Sequence, residues 1–190
     1  MPALQITGDP AADKVLSEDP FALLVGMMLD QQYPMEHAFR GPAKVLERFG
    51  TLDPATIAAA DPESFAALCA QPPAIHRFPG SMAARLQELA GIVEREYAGD
   101  ASRLWTEASS GAELLKRVQA LPGFGKQKAQ IFVALLAKQL AVRPEGWEKA
   151  VGDYALEGHR SVADVVDEAS LQKVRDYKKA KKAAARATPV

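Results

Sequence analysis

The chain has 190 residues, 48% of them hydrophobic, enough to bury one proper core or two small lobes sharing a cleft. Its best apolar run, Phe21 to Leu29, is far too short to span a bilayer. The single cysteine, Cys69, excludes an internal disulfide and any four-cysteine metal or iron–sulfur site, and is read as a small core residue.

Met1 to Asp9 lacks the basic start and apolar stretch of a secretory leader, so a cytoplasmic location is expected. The formal net charge of −1 announces no nucleic-acid partner, but its distribution is uneven. Residues 171–190 hold Lys173, Arg175, Lys178, Lys179, Lys181, Lys182 and Arg186 against Asp176 alone. Such a tail either holds a polyanion through salt-sensitive phosphate contacts or is a solvated helix end.

In chain order, Asp-Pro recurs at 9–10, 19–20, 53–54 and 61–62, each time before a helix-forming run. Asp serves as N-cap and Pro as first helical residue, so each pair starts a helix. Helices are predicted over 10–17, 20–31, 35–49, 54–60, 62–70, 80–98, 111–120, 126–140 and 168–184, with a short one over 102–107. Strand signals are nearly absent, so the fold class is all-α. The stretch 141–161 gathers Pro144, Gly146, Gly152 and Gly158 and is the least regular, a place where a site would sit. One helical domain is expected over residues 1–175, followed by a basic tail over 176–190.

The most informative stretch is Leu121-Pro122-Gly123-Phe124-Gly125-Lys126-Gln127-Lys128-Ala129. Pro122 stops the helix before it, and Gly123 and Gly125 permit positive φ and close approach of another backbone. The helix that follows is apolar nearly all round, a buried support with unpaired N–H groups at its start. Those amides, from Gly123, Phe124, Gly125, Lys126, Gln127 and Lys128, suit phosphate oxygens, and Lys126 and Lys128 add charge. The segment reads as a helix-hairpin-helix gripping a nucleic-acid backbone. It also reads as a plain turn with solvated lysines.

Three segments together resemble the helix-hairpin-helix–GPD superfamily of base-excision DNA glycosylases, of the endonuclease III, MutY and AlkA kind. They are Leu23 to Gln32, an apolar helix ending in two glutamines; Gly80 to Leu86, opening a long helix; and the hairpin. The likeness is to a small bacterial branch lacking the iron–sulfur cluster. It implies two helical lobes with a cleft, double-stranded DNA as partner, and a monomer associated with the nucleoid. No cofactor is implied, although hairpin carbonyls in this superfamily can hold a monovalent cation.

The resemblance also implies site residues. The superfamily's catalytic carboxylate follows the second hairpin helix, and at that spacing this chain offers Glu145 where the family has Asp. Asp153 and Asp164 are the fallback candidates, and Glu145 otherwise reads as an acidic residue in a Pro-Gly turn. Gln31 and Gln32 match positions that enter the vacated base stack or read the estranged base, and otherwise read as a polar helix end facing solvent. Tyr33, His37, Phe39 and Trp147 are candidate stacking partners for an extruded base. Gln127 holds the place of the lysine nucleophile of bifunctional relatives, so hydrolysis of the N-glycosidic bond without lyase activity is expected. The alternative is a glycosylase-fold module that binds distorted DNA without catalysis. A protein–protein adaptor whose hairpin merely turns is a third reading.

Overall fold

A computed structural model describes residues 3–187, and among these the chain is helical throughout, with no strand. Each Asp-Pro pair starts a helix as expected, because the Asp carboxylate accepts from the first free amides. Asp9 accepts from Ala11 N and Ala12 N to open α1 (Pro10–Glu18), and Asp19 from Phe21 N to open α2 (Pro20–Leu29). Asp53 accepts from Thr56 N at α5 (Pro54–Ala59), and Asp61 from Ser64 N at α6 (Pro62–Ala70).

Two elements differ from expectation. The helix predicted over 35–49 is two, α3 (Met35–Ala38) and α4 (Gly41–Phe49), separated at Phe39 and Arg40. Pro42 has no N–H to bond Ala38 O, so the helix is interrupted there, and Phe39 turns into the core. The helix predicted over 20–31 stops at Leu29, leaving Gln31 and Gln32 in a loop, with Gln32 at φ +52°.

The first lobe is α1 to α6 packed with the long α7 (Pro79–Tyr97). α2 runs through its middle with every residue from Phe21 to Leu29 buried. The second lobe holds α8 (Arg103–Thr106), α9 (Gly111–Gln119), α10 (Lys126–Leu140), α11 (Trp147–Val151) and α12 (Glu168–Ala187). α10 is its axis, burying Ala129 and Phe132 to Ala137. The region 141–161 contains α11 and a 3-10 turn over Gly152–Ala155. One continuous core joins the lobes. Cys69 lies wholly inside it, where burial pushes the thiol up to about 11 and leaves it inert at neutral pH. No described helix is long and apolar enough to cross a membrane. α12 runs unbroken through residue 176, so the basic segment up to Ala187 is part of a helix that begins in the second lobe. Residues 188–190, also assigned to the tail, lie outside the described residues.

Candidate nucleic-acid interface

The hairpin joins α9 to α10. Leu121 and Phe124 are buried and pin the turn from beneath, with the Phe124 ring edge-on to Phe132 at 6.0 Å. Phe124 N closes the bend on Leu121 O at 3.2 Å. Gly123 sits at φ +84°, a conformation costly for residues with a Cβ. Gly125 does not: at φ −80° and ψ −179° it is extended, and a Cβ there would meet nothing within 4 Å. Its surface is open to an incoming molecule.

Gly125 is the N-cap of α10, and no side chain caps the helix. The amides of Lys126, Gln127 and Lys128 therefore stand at the positive end of a 15-residue helix without intrahelical partners. Lys126 is exposed beside them. Lys128 is not a free phosphate ligand, because its ammonium donates to Met28 O at 2.7 Å in the last turn of α2. Burial draws that ammonium down to about 8, with Asp30 opposing the shift. Phe124, expected to offer its amide, does not: that N–H is taken by Leu121 O, and its ring faces the core.

Beside the hairpin opens a groove of about 1050 Å³. α10 supplies Gln127, Lys128 and Ile131, and the loop after α2 supplies Asp30, Gln32 and Tyr33. Arg77 closes one side, and Lys178, Lys181 and Lys182 of α12 close another. Gln127 is held by a 2.9 Å bond from its amide to the Tyr154 hydroxyl, and Lys181 stands 5.9 Å from that Tyr154 ring. Asp30 is the acidic residue among the described lining. Burial pushes its carboxyl up, Lys178 and then Lys128 draw it down, and Glu36 raises it again.

An aromatic wall continues from the groove. Tyr33 lies 4.9 Å from the ring of His76, which lies 5.9 Å from Phe78. His76 is buried, with Nε2 at 2.8 Å from Gln31 O while Nδ1 accepts from Phe78 N. Those partners require the neutral ring with its proton on Nε2, and burial pushes its pKa down. Phe78 is 47% exposed, with the Arg77 guanidinium 5.4 Å above its ring.

The other predicted residues divide. Gln32 is exposed on the groove, but Gln31 is tied at both ends, donating to Met28 O and accepting from Arg85 Nη1, so it is no free wedge. Of the aromatic candidates, Tyr33 reaches the groove. Phe39 is wholly buried, and His37 lines a separate hollow with Glu36 and Arg40. Trp147 packs against the start of α9, where a Cβ on Gly111 would fall 2.5 Å from its Cα.

Glu145 is not among the residues that line the groove. It is exposed, and its carbonyl accepts from Gly111 N at 2.8 Å, at the end of α9 opposite the hairpin. α9 is nine residues long, so about 14 Å of helix separates that end from the turn. Asp164 is structural: it accepts from Lys138 Nζ at 2.7 Å and from Arg160 N at 2.8 Å, and caps the turn that follows Ser161. Asp153 is exposed in a smaller hollow of about 240 Å³ that shares Lys181 with the groove. Sequence reasoning missed Asp30, Arg77, Phe78 and Tyr154. A charged residue ending a wholly apolar helix was the available signal for Asp30.

The two helical lobes meet at the hairpin and the basic groove beside it. The model of the HhH-GPD superfamily of base excision DNA repair proteins matches residues 25–188, and the chain belongs to that superfamily. Among solved structures, a thermostable thymine-DNA glycosylase is similar at 18% identity, over 84% of this chain and 70% of that one, with a TM-score of 0.43. No curated protein matches the chain.

Proposed function

We propose that the protein is a monofunctional DNA glycosylase acting on a base extruded from duplex DNA into the groove beside the hairpin. One observation carries this reading: the groove that receives the uncapped start of α10 also contains a partly buried carboxylate, Asp30. Breaking an N-glycosidic bond builds positive charge on the sugar, and a carboxylate in a site of low dielectric stabilises it. Burial raises the Asp30 carboxyl overall, and Lys178 and Lys128 act against it, toward the ionised form that this role needs. Tyr33 offers a face for the extruded base, and Gln32 on the groove and exposed Phe78 beyond it are the side chains available to replace it in the stack.

Two positions in the hairpin support a reaction without lyase activity. Gln127 forms no Schiff base, and the Lys128 amine is committed to Met28 O. Duplexes carrying uracil, hypoxanthine, alkylated purines, oxidised purines and mismatches test the reading. Base release without strand cleavage, and without a borohydride-trapped adduct, supports it. Trapping would overturn the monofunctional assignment. The exposed position of Glu145 favours a second reading, a module that binds distorted DNA without catalysis. Tight lesion binding with no base release from any of these duplexes would establish it.

A further inference from the structure

α12 is anchored along its first two turns and then leaves the core. Leu171 and Val174 are buried, Ser170 is fixed by Asp167, and Arg175 pairs with Glu36 at 3.2 Å. Beyond Val174 every described residue is exposed except the half-buried Lys178. No burial therefore accounts for the helix continuing to Ala187.

The face it presents is selective. Lys178, Lys181 and Lys182 line the groove, whereas Lys179 and Arg186 do not. With Arg77 and Lys128 they place five basic side chains around Asp30. The hollow between α1 and the start of α12, about 1200 Å³, provides an internal comparison, with five acidic side chains against three basic. A chain of net charge −1 thus carries an excess of basic side chains in the groove beside the hairpin. Like charges crowded along one wall repel one another unless an anion lies between them.

We propose that the second half of α12 is a phosphate-binding wall of the DNA site. Lys181 and Lys182 hold a second stretch of duplex backbone while the hairpin amides hold the first. This rests on the DNA-binding part of the reading above and is independent of catalysis.

The test is binding of an undamaged duplex by fluorescence anisotropy across about 50–200 mM salt, the range over which phosphate binding weakens steeply. Lys181→Gln with Lys182→Gln is expected to flatten the slope of log K against log salt by about 0.9 for each phosphate left without its lysine. Over that range the double variant would lose roughly tenfold less affinity than wild type. Lys179→Gln with Arg186→Gln, off the groove, is expected to keep the wild-type slope, and circular dichroism checks that helicity is retained in each. An unchanged slope in the Lys181/Lys182 variant overturns the wall while leaving the hairpin reading intact. Equal flattening by both pairs also overturns it, since the helix would then act as an unoriented polycation. Absence of duplex binding by wild type at low salt defeats both the wall and the reading on which it rests.

Discussion

The two glycines that flank Phe124 in the hairpin separate folding from binding. Gly123 is left-handed, and a methyl there would approach the Arg85 and Met28 side chains at 3.1 and 3.2 Å. Gly123→Ala is expected to lose about 1–2 kcal/mol in chemical denaturation, the cost of placing an L-residue in that region. Gly125→Ala should keep wild-type stability, because its Cβ enters open space, yet weaken duplex binding by placing a methyl on the surface that phosphate approaches. Equal effects of the two changes on stability would contradict this division. His76 makes a second prediction. Burial holds its folded pKa below the ordinary 6.5, so the unfolded chain binds a proton first as pH falls. Its contribution to stability is fully present above 6.5 and is lost as pH drops below that value. Urea unfolding from about pH 7.5 to about 5.5 should show the decline, and a flat profile would show that His76 carries none of it.

At the scale of elements, what was legible in the sequence was local. Asp9, Asp19, Asp53 and Asp61 bond amides two or three residues away, so each helix start was readable without the fold. The Pro-Gly-Phe-Gly turn was readable for the same reason. The end of α2 was not, because Lys128 caps Met28 O from one hundred residues away. Asp30 was missed likewise, since its surroundings include Lys178 of a helix at the far end of the chain. Resemblance and spacing pointed to Glu145, but α10 carries the chain away from the hairpin and the loop returns to α9 at its other end. That loop depends on a close backbone approach at Gly111. Gly111→Ala should destabilise by roughly 1–3 kcal/mol, as overpacking does. Its thermal melt should shift while the affinity of the folded protein for duplex stays unchanged. A melting temperature equal to wild type would show that α9 and α11 adjust freely.

On the scale of the whole molecule, the lobes bring three parts of the chain to one groove: the end of α2, the start of α10 and the second half of α12. None forms a site alone. The proposed chemistry lies in that groove, with Asp30 as its carboxylate and Glu145 outside it. Base release by wild type, Asp30→Asn and Glu145→Gln from the most reactive lesion duplex, with duplex affinity measured in parallel, tests this most directly. Asp30→Asn is predicted to lower the single-turnover rate by roughly 10²–10³-fold, the range for losing one electrostatic stabiliser, with affinity kept. Glu145→Gln should turn over at the wild-type rate. Loss of turnover in Glu145→Gln with activity retained in Asp30→Asn would contradict it.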